Sequence, residues 1–166
     1  IYGASMILLY CMSSIYHGLR SGTAKKVFQV LDHCSIYILI AGSYTPLALS
    51  AIRAIDPALG WTIFGLEWGL TSIAVTLTAI DLKKFNLFSM ICYIAMGWMI
   101  IVFYKQAILA LTLPGFNLIL LGGIFYTAGA VLYGIGKKRM YAHNVFHVFV
   151  LFGSIIQFFG ILYYGL

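Results

Sequence analysis

Six apolar stretches, each close to the length of a bilayer crossing, follow one another along 166 residues with only short connections between them. A hydrocarbon core about 30 Å thick takes about 20 mostly apolar helical residues to cross. Inside it, every backbone N–H and C=O must be satisfied within the protein. Helices do this segment by segment, so the chain is expected to be an all-α integral membrane protein. The spans are placed at 1–18, 30–51, 60–80, 86–105, 117–136 and 145–166. Composition excludes the soluble alternative, because 63% of the residues are hydrophobic and 8% charged, against about a quarter charged in soluble domains. Pro46, preceded by Thr45, should kink or loosen the outer part of the second span, since proline removes a backbone donor. Ile1 opens straight into an apolar run with no initiator Met and no cleavage site, which reads as a fragment. One further span before it would make a seven-helix bundle lacking its first helix here. Residues 1–166 read as a single polytopic membrane domain without a linker or an extramembrane domain.

Charge in the connections sets the expected orientation. Arg20, Lys25, Lys26, Lys83, Lys84, Lys137, Lys138 and Arg139 fall in the first, third and fifth loops, while Arg53 and Lys105 fall in the second and fourth. By the positive-inside rule the odd loops face the cytoplasm and both ends of the chain face outside. The net charge of +6 therefore points to lipid headgroups as partner rather than to nucleic acid. Cys11, Cys34 and Cys92 lie in apolar stretches without CxxC spacing and read as buried free thiols. Gly65 and Gly69 form a GxxxG, and Gly122, Gly129 and Gly136 recur at every seventh position of the fifth span. Close helix contacts are expected at both.

Ionisable side chains inside spans are costly, so each is a functional candidate. His17 ends the first span, Asp32 and His33 begin the second, and His143 and His147 begin the sixth, so all five share the cytoplasmic side. In HNVFH the two histidines are four residues apart, on one face of a helix, the geometry two imidazoles need to share a metal. His17 completes the three-ligand set of a catalytic zinc with a fourth position open to water. By itself, an HxxxH pair also accommodates hydrogen bonds from the rings to neighbouring backbone. Asp32 shares its face with Ser35, Leu39 and Ser43, whereas His33 shares its face with Tyr37, Ile40 and Tyr44. The small, polar face suits a watery cavity, so Asp32 is assigned to the site, as a carboxylate bonded to metal-bound water or acting as general acid and base, and His33 to an interfacial or packing role; a helix cap is the alternative for Asp32. Ser13, one turn before His17, offers a hydroxyl to an oxyanion or to its own helix backbone. Glu67 lies about 21 Å from the cytoplasmic end of its span, too deep to join the histidines, and its GLEWG setting suggests a helix-contact or outer-mouth role, eased by protonation. Asp56 and Asp81 sit at span ends, where capping and solvation account for them.

SSIYH at Ser13–His17, LDHCSIYILIAGSYTP at Leu31–Pro46 and HNVFH at His143–His147 together resemble the hemolysin III proteins, of the superfamily that includes the progestin and adiponectin receptors and the alkaline ceramidases. The resemblance runs over essentially the whole chain and implies a seven-helix bundle with zinc near the cytoplasmic side. In that pattern His17, His143 and His147 match the zinc ligands, Asp32 the nearby aspartate and Ser13 the serine of the SxxxH motif. Short loops and the lack of tails look like a bacterial member, in the cytoplasmic membrane.

Three functions remain open at this level. A zinc-dependent hydrolase would cleave a lipid amide or ester held in a helix-lined cavity. A zinc-stabilised sensor would bind a lipid or a protein for signalling. A cytolysin would form a pore, for which strongly apolar helices offer little lining. The charge asymmetry itself is testable: on a background lacking the three cysteines, a single cysteine placed among Lys137–Arg139 should react only with membrane-permeant thiol reagents in intact cells. Reaction with an impermeant reagent from outside would reverse the orientation.

Overall fold

The computed structural model describes residues 1–135 and 140–166, with backbone only at Tyr133, Ile135 and 140–144. The expected Lys137–Arg139 loop and Gly136 lie outside the described residues. Helix α1 spans Tyr2–Gly18, α2 Thr23–Pro46, α3 Arg53–Ile55, α4 Pro57–Ile80, α5 Asn86–Gly97, α6 Tyr104–Ile135 and α7 Met140–Tyr164. Four helical stretches, 23–55, 57–80, 104–132 and 145–164, are long and apolar enough to cross a membrane, and 86–101 is a shorter apolar one. The protein is an all-α integral membrane protein.

Local chemistry explains most of the boundaries. Asp56 caps α4 by accepting the Leu59 N–H at 3.0 Å, with Pro57 in the first turn where its missing donor costs nothing. Asp81 accepts the N–H groups of Lys83 and Lys84, both at 3.0 Å, and closes the turn after α4. Both aspartates thus take the end-of-span roles expected of them. Pro46 does loosen the second span: the helix widens into a π-helical segment at Leu47–Ile52 directly after it.

Several boundaries shift. The second helix begins at Thr23 rather than 30, carrying Lys25 and Lys26 in its first turns. Lys25 Nζ donates to Leu19 O at 2.9 Å and lies 5.3 Å from the Tyr16 ring centroid, which pins the α1–α2 turn. The fourth span stops at Gly97, before a 3₁₀ turn at Met99–Ile101. The stretch expected to connect it to the fifth is instead helical from Tyr104, broken at Thr112 (φ 62°, ψ 166°) two residues before Pro114.

Two compact units result, Ile1–Met99 and Ile100–Leu166. In the first, α2 is the central element and is buried along most of its length from Cys34 to Thr45. It packs on α1 where Gly42 faces Ser5, and on α4 and α5 through Tyr37, whose ring centroid is 4.4 Å from that of Tyr93. On α4 a single stripe of Gly60, Ile63, Glu67, Thr71, Ala74 and Thr78 is buried, while Trp61, Leu66, Ile73 and Ile80 are exposed as a lipid-facing surface requires.

In the second unit α6 and α7 meet through glycine. A Cβ on Gly153 would stand 3.1 Å from Gly122 O, and one on Gly122 would stand 3.0 Å from Gly153 O. Gly129 meets Phe149 Cβ at 3.0 Å by the same measure. The expected seven-residue glycine stripe is therefore a contact surface at Gly122 and Gly129. The GxxxG of α4 is not: nothing lies within 4 Å of a Cβ at Gly65 or Gly69, and both are exposed. α4 packs through the neighbouring face instead, where Gly60 lets the backbone of Ala48 approach to within 2.6 Å of a would-be Cβ. Accordingly, Gly153→Leu should destabilise the α6–α7 pair by about 1–3 kcal/mol, the usual cost of overpacking, while Gly69→Leu should stay within about 0.5 kcal/mol of wild type. Unfolding of the two variants in bicelles measures the contrast.

Candidate functional site

Ser13 and His17 lie on consecutive turns of α1, in line with the buried positions Tyr2, Ser5 and Leu9. Ser13 is buried, and His17, one turn further on in the last turn of the helix, is exposed with its ring centroid 4.6 Å from that of Tyr16. α1 and α2 form an antiparallel hairpin. Contact of Ser5 with Gly42 sets its register, so moving along α1 towards His17 matches moving back along α2 towards Asp32. The hairpin thus places Ser13, His17 and Asp32 towards the same end, on either side of the short turn between α1 and α2.

Asp32 is half-buried, with Oδ2 3.9 Å from His33 Nδ1. Its backbone carbonyl accepts the Ser35 hydroxyl at 2.6 Å, so Ser35 is turned back onto its own helix. Ser43 does the same, donating to Ile40 O at 2.8 Å. Of the small, polar face expected beside Asp32, Ser35, Leu39 and Ser43 are all buried. His33 points its Nδ1 at Gln29 O, 2.8 Å away. A carbonyl can only accept, so Nδ1 carries the proton. The His33 carbonyl in turn accepts the Tyr93 hydroxyl at 2.9 Å, which fastens α2 to α5. Sequence reasoning missed this clamp because it joins residues 60 positions apart.

His143 and His147 both fall in α7, which is helical from Met140. The pair is therefore one helical turn apart on one side. His147 is half-buried and its ring centroid is 5.3 Å from that of Phe146; the His143 side chain lies outside the described residues. Among the described residues, which include His17, Asp32 and His147 but not the His143 side chain, no group of three His, Cys, Asp or Glu side chains converges as a metal site. The donors that are described suit zinc in kind: imidazoles for ligands, with a carboxylate and a hydroxyl on the α1–α2 hairpin.

The family model for haemolysin-III-related proteins matches residues 1–158. The chain belongs to this family. It is 41% identical to Hemolysin-3 of Bacillus cereus over 166 residues, covering all of this chain and 74% of that protein. It is 38% identical over 164 residues to the Hemolysin-3 homolog of Bacillus subtilis (strain 168), covering 99% of this chain and 75% of that one. A more distant relative, the human monocyte to macrophage differentiation factor, is 22% identical over 170 residues, with 97% and 67% covered. No solved structure matches. The matched range contains the three motifs SSIYH, LDHCS and HNVFH, which fall on α1, α2 and α7.

Proposed function

We propose that this haemolysin-III-related protein is a zinc-dependent hydrolase of a lipid amide or ester, working within the membrane near its cytoplasmic face. The observation that carries the reading is the placement of the polar motifs. Ser13, His17 and Asp32 collect at one end of the α1–α2 hairpin, and His143 and His147 sit one turn apart at the start of α7. His17, His143 and His147 would hold the metal, leaving a fourth position open.

When bound, zinc supplies Lewis acidity at a carbonyl and acidifies a water at neutral pH. The chain's own groups do the rest. Asp32, half-buried and 3.9 Å from a ring nitrogen already protonated towards Gln29 O, takes the proton of the attacking water and returns it to the leaving amine or alcohol. Ser13, buried one turn from His17, donates its hydroxyl to the oxyanion that develops on the scissile carbonyl. His33 and Tyr93 hold this stretch of α2 in place through backbone hydrogen bonds of 2.8 and 2.9 Å. The apolar outer faces of the helices put an acyl chain within reach from the lipid side.

A cytolytic reading is favoured by one finding, the printed names of the two Bacillus relatives. Lysis by a purified, vesicle-reconstituted protein that is unaffected by Asp32→Asn would select it over hydrolysis. For the hydrolase, alanine at His17, His143 or His147 should each remove most of the bound zinc. Asp32→Asn keeps size and hydrogen bonding but accepts no proton, so zinc should stay while lipid product formation falls by about 10²- to 10⁴-fold. Metal analysis paired with lipid product analysis reads both; loss of zinc in Asp32→Asn as complete as in His147→Ala would make Asp32 a ligand and end the open-site reading.

A further inference from the structure

Glu67 is completely buried in the first unit, and neither carboxyl oxygen has a hydrogen-bonding partner among the described residues. It stands about 15 Å from the first residue of α4 and about 20 Å from the last, far from either helix end, between Ile63 and Thr71 on the stripe that packs against α2 and its π-helical extension. An ionised carboxylate buried without a partner carries a desolvation cost that proteins avoid by pairing it, giving it a cation or neutralising it.

Pairing is excluded by what surrounds it. On α2 the titratable groups towards α4 and α5 are Cys34, Tyr37 and Tyr44, and on α5 they are Cys92 and Tyr93. None of these is a base. The π-helical segment Leu47–Ile52 carries no charge. Arg53, on α3, is exposed and lies with its guanidinium 6.0 Å from the Trp61 ring centroid, at the outer end of α4. Asp32, Lys25, Lys26 and His33, whose Nδ1 is turned to Gln29 O, belong to the opposite end of α2.

A metal cation fits poorly as well, because a hard cation gathers several oxygens at about 2.3–2.6 Å and no group of three His, Cys, Asp or Glu side chains forms around Glu67 among the described residues. Thr71 donates to Tyr37 O at 3.4 Å, Thr45 to Ala41 O at 2.8 Å, and Tyr44 to Gly97 O at 3.0 Å. Thr45 Oγ1 further accepts the Trp68 indole N–H at 3.0 Å. A proton needs no such cage. Towards the Asp81 end of the same stripe, the hydroxyls of Tyr37, Thr78 and Ser89 form a buried run, with Tyr37 Oη 3.3 Å and Ser89 Oγ 3.2 Å from Thr78 Oγ1. These hydroxyls lie between Glu67 and the Asp81 end of α4, with Thr78 about 16 Å along the helix from Glu67.

We infer that Glu67 is an intramembrane proton-binding site, separate from the histidine set, whose carboxyl carries an exchangeable proton at neutral pH. The site's ligand is the hydron itself.

The test uses the full chain in phospholipid vesicles. The infrared spectrum of wild type at neutral pH should contain a protonated-acid C=O band that Glu67→Gln lacks. This band should shift in D₂O and fade in strongly alkaline buffer. Glu67→Gln mimics the neutral acid and should unfold at the same temperature as wild type. A carboxylate band in place of the acid band overturns the inference. So does an acid band that D₂O leaves unmoved, or one that sodium or potassium removes at fixed pH, the last outcome marking a cation site. If Glu67→Gln does not fold, wild type alone decides through dicyclohexylcarbodiimide, to whose central carbon a protonated carboxyl adds while its proton passes to nitrogen. Peptide mapping should find Glu67 modified at neutral pH and severalfold less in alkaline buffer. No modification, or equal modification at both, overturns it.

Discussion

Within a bilayer a polar group has no water to turn to, and leaving one unsatisfied costs about 1–3 kcal/mol or more. The first unit is organised around meeting that demand on α2. Its small hydroxyls bond back to its own carbonyls, as Ser35, Ser43 and Thr45 do. Its larger groups reach across to other helices: Tyr37 to Thr78, Tyr44 to Gly97, and the His33 carbonyl to Tyr93. Each cross-helix bond fixes one turn of α2 against a neighbour, so the helix that carries Asp32 is also the most thoroughly tied. The second unit repeats the pattern more simply, with Tyr126 and Ser154 bonded at 2.9 Å and Gln157 donating to Ile119 O at 3.4 Å, close to the Gly122–Gly153 contact.

Much of this architecture was legible from local sequence. Apolar length gave the helices, Asp56 and Asp81 their ends, and Pro46 the loosening of the second span, because each depends on residues within a few positions. The boundary at Thr23 was not, since the helix runs on past its apolar segment through the basic turn of Lys25 and Lys26, nor was that at Tyr104, where an apolar stretch continues as helix through the break at Thr112. Nor was the packing face of α4. Its lipid side is as apolar as its protein side, so periodicity does not tell the two apart, and the GxxxG pointed to the exposed face while Gly60, Glu67 and Thr71 took the buried one. The Gly122 and Gly129 stripe was read correctly, because there the glycines coincide with the contact.

The candidate site divides in the same way. The spacing of Ser13 with His17 and of His143 with His147 is local and survives in the helices. The hairpin that brings Asp32 to the His17 end of α1 follows from one short turn. The His33–Tyr93 clamp and the isolation of Glu67 depend on which helix neighbours which, and no local pattern announces them. Two polar regions of different character lie within the first unit: an imidazole, a carboxylate and a hydroxyl towards one end of the α1–α2 hairpin, and a single acid deep in α4 with apolar and hydroxyl-bearing neighbours.

The central claim of the proposed function is that three imidazoles, those of His17, His143 and His147, and no thiol hold one zinc. X-ray absorption at the zinc edge of the full chain, purified with its metal, tests it most directly. The account predicts nitrogen scatterers at about 2.0–2.1 Å with the multiple-scattering signature of three imidazoles and one further light atom. A sulfur shell at about 2.3 Å would bring a cysteine into the site, and a fourth imidazole would bring in His33; either would contradict it.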